Sequence, residues 1–153
     1  MGQMPQGMER RMVLQMLAHW RELRGDRAFP SFHDLHPRTI PEIWDNVFVL
    51  DLAGFQNDPL FRLAGDSFTA STGSSLRNIR ISEVPANTLA EQSVSYYREV
   101  IERGVPISRG GEFTKSDGTK VLYRGVILPM SDDGATISGL LGAANCRVPA
   151  EAA

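Results

Sequence analysis

The side chains of this 153-residue chain that could do chemistry are few: three histidines, one cysteine and a scatter of acids and hydroxyls. His33, Asp34 and His36 are the only metal-ligand types that cluster in sequence. The pattern His-Asp-x-His lacks the i, i+4 spacing that sets two ligands on one helix face. Asp34 is therefore expected to cap a turn. Gly65-Asp-Ser-Phe-Thr69 is polar enough to suggest a nucleophile, but a serine where a strand gives way to a helix is more often a cap. Neither Gly-x-Ser-x-Gly, nor His-Glu-x-x-His, nor Gly-x-x-x-x-Gly-Lys occurs. No catalytic residue and no metal site are expected.

Four polar residues stand out because they interrupt apolar strands: Arg62, Tyr123, Arg124 and Asn145. If one strand face bounds a cavity, these four would orient an anionic or polar ligand. The competing reading is that Arg62 and Arg124 emerge at a strand edge and pair with acids, since buried arginine is rare unless paired.

Composition narrows the function classes. Sixteen basic residues face 18 acidic ones, a formal charge of −2, and the apolar fraction of 42% is ordinary for a globular protein. The arginines are scattered, so no footprint for nucleic acid is expected. No apolar run reaches the ~18 residues of a membrane span. The N-terminus lacks the basic and apolar regions of a secretory signal. A lone Cys146 cannot form an internal disulfide, which fits a reducing compartment. A soluble cytoplasmic protein without a membrane partner is expected.

Residues 1–7 are small and unpatterned and read as a disordered tail, as do 148–153. Residues 8–45 read as an amphipathic helix over 8–24 followed by a connector, with a short helix near 38–44. Met12, Val13, Met16, Leu17 and Trp20 form a broad stripe, with His19 on the other side. A stripe that wide must be buried, either on its own domain or as a dimer interface with a second copy. Gly25 stops the helix. Residues 46–147 read as one domain. Strands are expected at 46–52 and 60–64, separated by the turn Gln56-Asn-Asp-Pro59. Gly65 is expected to let the second strand bend into short helical pieces over 65–84. A longer helix over 89–103 opens with Thr88 and Glu91 as a capping box. Three strands follow at 105–115, 120–130 and 136–146, joined by turns at Ser116-Asp-Gly-Thr119 and Ser131-Asp-Asp-Gly134. Alternation sets Val121, Tyr123, Gly125 and Ile127 opposite Leu122, Arg124, Val126 and Leu128. Both sides are apolar, so both sheet faces should be covered. The fold class is α+β, a five-stranded antiparallel sheet with helices on one face and a leading helix.

That element order resembles a PAS domain. The chain is similar to short single-PAS proteins common in alphaproteobacteria through an ordered set of motifs: Trp20-Arg-Glu-Leu-Arg-Gly25, His36-Pro-Arg-Thr-Ile40, Val47-Phe-Val-Leu-Asp51, Arg62-Leu-Ala-Gly65 and Leu128-Pro129. The resemblance covers roughly residues 12–147 and implies strand order 2-1-5-4-3. It implies a non-enzymatic sensory or regulatory protein that binds a small molecule between sheet and helices, forms a homodimer, or both. No kinase, cyclase, phosphodiesterase or DNA-binding segment accompanies the domain, so output is expected through a partner protein.

Two cofactors such domains can carry are disfavoured here. Haem needs an axial histidine, and His19, His33 and His36 all precede the sheet. Flavin photochemistry is echoed by Asn145-Cys146-Arg147, but the matching motif belongs on a mid-domain helix, whereas Cys146 ends the last strand. Cys146 is read instead as a small hydrophobe. The alternative architecture is an α+β cone of the transport-factor type, acting as an enzyme or carrier, with a bent sheet enclosing His33 or His36.

Overall fold

The computed structural model describes residues 8–52, 54, 57–70 and 72–149. The tail expected over 1–7, most of the tail over 148–153 and Gln56 of the first turn lie outside those residues. Helix α1 spans Met8–Arg24. Strands β1 (Val47–Asp51) and β2 (Leu60–Ala64) follow. Helices α2 (Asp66–Thr69), α3 (Leu89–Val94) and α4 (Tyr97–Arg103) cross over. Strands β3 (Ile107–Thr114), β4 (Lys120–Met130) and β5 (Gly139–Arg147) complete the chain. Every pairing is antiparallel and the strand order is β2-β1-β5-β4-β3. His33 and His36 lie exposed in the connector, outside any enclosure by the sheet, which removes the cone architecture.

Strand alternation divides the core in two. Phe48, Leu50, Phe61, Val121, Ile127, Leu140 and Ala144 project to the inner face, where they meet Phe68 of α2, Ala90 and Val94 of α3, and Tyr97 and Val100 of α4. Val47, Val49, Val126, Leu128, Leu141 and Ala143 project to the outer face and meet Met12, Val13, Met16 and Trp20 of α1. Met16 is 0% exposed, and Trp20 Nε1 donates to the Pro129 carbonyl at 2.8 Å. Of the two covers open to the helical stripe, the chain's own sheet is the one used. Met12, Val13, Met16 and Trp20 are occupied there, and Leu17 is half-buried beside them.

The turns follow their sequence chemistry. Gly118 and Gly134 both adopt positive φ, 89° and 82°. Asp133 Oδ1 gathers the Ser131 hydroxyl and the Ala135 and Thr136 amides, which holds its carboxyl down to a pKa of about 2. The regular strand β5 starts at Gly139, later than expected, although the Ser138 backbone already bonds to Met130 and Leu52 on the flanking strands. Asp34 caps as read, accepting from the Ser31 amide at 2.8 Å and from Arg27.

Four local expectations are corrected. The short helix near 38–44 is replaced by two 3-10 turns, Pro37–Thr39 and Trp44–Asn46, because Pro41 supplies no amide donor and biases Ile40 before it (φ −139°, ψ 53°) away from the helical region. The helix over 89–103 breaks at Tyr96 (φ −106°, ψ 21°). Ser93, Val94, Ser95 and Tyr96 are poor helix formers, and the Ser95 hydroxyl bonds back to the Gln92 carbonyl at 2.8 Å. His19 lies on the buried side of α1 rather than the polar side, 8% exposed, with Nε2 3.3 Å from Thr39 Oγ1. Gly65 has ordinary extended backbone (φ −70°, ψ 160°). Glycine is needed there because a Cβ would sit 2.3 Å from the Asp45 carbonyl oxygen.

Two outcomes follow. Gly65→Ala should destabilise the fold by about 2 kcal/mol or more, since the obstacle is backbone and cannot swing aside; a urea midpoint within error of wild type would refute this. Burial pushes the His19 pKa below its ordinary value of 6.5, against a smaller upward pull from Glu22. The folded state thus favours neutral imidazole. Its contribution is complete above pH 6.5 and is lost as pH falls through the lower folded value. Unfolding free energy should therefore drop between pH 7.5 and 5, and His19→Gln should flatten that slope.

Candidate functional site

The four residues singled out in the strands do not converge. Arg62 is the extra residue of a β-bulge: Val49 pairs with Leu63 and Leu50 with Phe61, leaving Arg62 without an opposite number. Arg62 faces the outer side, exposed, with its guanidinium 3.7 Å from the centre of the Phe32 ring, and the bulge puts Leu63 on that same face. Arg124 and Asn145 are cross-strand neighbours on the outer face, three and two strands away from Arg62. Asn145 is 1% exposed and its Oδ1 accepts from the Cys146 amide at 2.8 Å. Tyr123 alone faces inward. Tyr123 and Arg124 both lie over glycines of the neighbouring strand. A Cβ on Gly111 would come within 3.2 Å of the Tyr123 ring, and one on Gly110 within 3.4 Å of the Arg124 guanidinium carbon.

The space between sheet and helices is filled by aromatic side chains. Phe48 stacks on Phe68 with centroids 4.6 Å apart, and Phe61 lies edge-on to Phe48 at 6.1 Å. All three are 0% exposed. The Phe48 ring also occupies the place of a Gly142 side chain, whose Cβ would be 2.1 Å from it. Two hydroxyls are buried nearby without a hydrogen-bond partner, Ser93 Oγ and Tyr96 Oη. Desolvation, reinforced by the neighbouring Tyr123, pushes the Tyr96 phenol well above its ordinary range, against the opposing pull of Arg109.

Room for a ligand exists outside this core. A groove of about 430 Å³ runs between the β1–β2 turn, the Ile81–Glu83 turn, α3 and α4. Ile81, Val94 and Tyr97 give it apolar walls. Tyr97 Oη donates to the Asn57 carbonyl at 3.0 Å, and Arg98 Nε donates to Tyr97 Oη at 3.0 Å. That bond to Tyr97 raises the Arg98 pKa above its ordinary value. Asp58 accepts from the Ser82 hydroxyl at 2.7 Å and the Ser82 amide at 3.0 Å, which hold its carboxyl below the usual range. Glu91 Oε1 is fixed by the Asn87 amide at 2.8 Å. The groove thus presents placed carboxylates and one placed guanidinium around an apolar floor, a lining suited to a small molecule bearing both charges. Sequence reading missed it: Asn57-Asp58 carried only a turn signal and Tyr97-Arg98 only a helix face.

A PAS domain model matches residues 8–145, most of the chain. The chain belongs to the PAS domain family. Solved structures similar to this PAS domain include the dark form of the blue-light photoreceptor Aureochrome1 LOV, at 22% identity, TM-score 0.48, covering 74% of this chain and 82% of that one. Another is the LOV domain of the Erythrobacter litoralis EL346 blue-light activated histidine kinase, at 14% identity, TM-score 0.46, covering 67% and 95%. A third is the light-state dimer of the fungal blue-light photoreceptor Vivid, at 17% identity, TM-score 0.43, covering 64% and 74%. Among curated proteins no sequence matches.

The residues of this PAS domain do not fit a haem or a flavin. Phe48, Phe61 and Phe68 take the volume a planar ring would need. His19 belongs to α1, which covers the outer face, and Cys146 is the last residue but one of β5. Among the described residues no three metal-ligating side chains gather, and no helix is long and apolar enough to cross a membrane.

Because the interior is packed, Phe68→Ala should cost about 3–5 kcal/mol, the range for emptying a buried aromatic site. Chemical denaturation checks this; a loss under about 1 kcal/mol would mean that Phe68 borders open space.

Proposed function

We propose that this chain is a cytoplasmic sensory or regulatory PAS protein without chemistry of its own, reading a small molecule in the groove beside α3 and α4 and acting through protein contacts. The observation that carries the reading is the placement of charge around the groove. Asp58, Glu91 and Arg98 are held there by hydrogen bonds, beside an interior already filled by side chains. A ligand with a carboxylate for Arg98, an amine for Asp58 or Glu91 and an apolar body for Ile81 and Val94 matches the lining. Small amino acids and short peptides have that chemistry. That Cys146 is in no disulfide is in keeping with a reducing compartment.

The same reading includes a homodimer and a signalling partner. A packed core transmits a ligand's effect through its surfaces, because side chains in such interiors have little room to rearrange. While α1 lies on its own sheet, its apolar stripe is not available to a second chain, and Leu14, at 65% exposure, is a large apolar side chain it leaves in solvent.

Native mass spectrometry of protein purified from its own host should show an adduct of amino-acid or short-peptide mass, reduced in Arg98→Ala. Thermal shift with a panel of amino acids and dipeptides should give a rise for at least one member. No adduct, and no shift at millimolar ligand, would remove the sensory half of the reading.

A further inference from the structure

The β3 edge of the sheet is open. Ser108 to Glu112 are all exposed, and β3 pairs with β4 in one unbroken register from Ile107↔Ile127 to Thr114↔Lys120. Natural edges are usually blunted by a bulge, a proline or a covering element. The opposite edge has such a cover: Leu60 of β2 bridges to Arg80. Strand β3 carries no bulge and no proline. Its middle is two glycines, Gly110 and Gly111, over which Arg124 and Tyr123 lie.

We propose that β3 is an interface for a second copy of this chain, the two β3 strands pairing antiparallel about a twofold axis at Gly111. The inference rests on the homodimer reading above and names its interface. Its register comes from three constraints. First, Lys115 N donates to the Thr119 carbonyl, so odd-numbered residues of β3 turn their backbone groups toward β4. The amides and carbonyls of Ser108, Gly110, Glu112 and Thr114 therefore point outward, and only these can pair with an added strand. Second, a twofold axis between antiparallel strands stands perpendicular to the sheet, so outer-face residues must meet outer-face residues. Both conditions confine the pairing to even-numbered partners.

Charge makes the third selection. Arg124 sits on the outer face with its guanidinium over Gly110, and among the described residues no carboxylate lies within ion-pair distance of it. With the axis at Gly111, the second copy's Glu112 falls opposite Gly110, on the face where that guanidinium lies. The path from Arg124 across Gly110 to that glutamate is about 10 Å between Cα atoms, the sum of one narrow and one wide pair spacing and within reach of an Arg–Glu pair. Symmetry supplies the contact twice. Placing the axis at Gly110 instead would set the two Arg124 groups beside each other. Glu112 gives up little to turn outward: its contact with Lys120 is 3.9 Å long and solvent-exposed. Because the β2 edge is bridged, this pairing closes at two copies.

Sedimentation velocity over a concentration series, to about 100 micromolar, tests the interface; an edge contact of this size should give a weak dimer. Glu112→Pro removes an outward amide that β3 does not use toward β4, so the domain should stay folded while dimerisation is lost. Arg124→Glu and Glu112→Arg should each weaken the dimer roughly tenfold through two like-charge contacts. Mixed together, those two variants should recover wild-type association, because each supplies the charge the other needs. A dimer unaffected by Glu112→Pro overturns the edge assignment and leaves the homodimer reading standing. A wild-type chain that stays monomeric throughout overturns both. Should Glu112→Pro unfold, as circular dichroism would show, failure of the mixed charge variants to associate overturns the proposal by itself.

Discussion

A sheet that is apolar on both faces is the constraint from which the rest of this molecule follows. β1, β4 and β5 project large aliphatic residues in both directions, so neither face can be left to water. The inner face is met by α2, α3 and α4, which the chain reaches through its crossover. The outer face has no crossover to cover it and is met by α1, from before the first strand. Burying an apolar side chain is worth about 1.5–3 kcal/mol. Met12, Val13, Met16 and Trp20 together thus contribute on the order of the whole stability of a small domain, about 5–15 kcal/mol. Helix α1 is part of the fold. The Trp20 bond to the Pro129 carbonyl and the Ser131 amide bond to the Pro30 carbonyl fix its end and its connector on β4.

The same constraint explains why so much of the architecture was legible in the sequence. Residues buried on both faces leave near-continuous apolar runs, and Asp-Gly turns mark where they reverse. The boundaries of α1 and of β4 fall where helical spacing and the turns put them. What the sequence withheld depends on contacts between distant residues. His19 reads as polar-side, yet the connector folds back and Thr39 gives its ring a partner. Gly65 reads as a hinge, yet it is glycine because Asp45 passes too close. Leu63 reads as sharing a face with Phe61, yet a bulge puts it on the outer face beside Arg62. A bulge changes the alternation by one residue, and period-two reasoning cannot detect that.

The candidate site was legible only in part for a related reason. Tyr123 and Arg124 stand out in the sequence as anomalies in an apolar strand. Their explanation lies on the next strand, where Gly110 and Gly111 have no side chains and the longer ones of β4 lean across. An aromatic or guanidinium laid over an edge glycine restores some of the cross-strand packing that glycine forgoes. The groove residues, by contrast, have ordinary sequence neighbours and become a group only when the β1–β2 turn meets α4.

Helix α4 then connects the proposed groove with the proposed β3 interface. Tyr97 and Arg98 border the groove, and the next residue, Glu99, holds Arg109 of β3 in an ion pair. Arg109 also lies 5.7 Å from the centre of the Tyr96 ring. Any displacement of α4 by a molecule in the groove therefore acts on β3 as well. The coupling has a ceiling. Exposed ion pairs are worth about 1 kcal/mol at most, so through this contact a ligand can change pairing at β3 by roughly fivefold. A weak dimer near its dissociation constant responds to a change of that size, whereas a tight one does not. Together, an open edge and a packed interior suit a protein whose state is set by small differences at its surface.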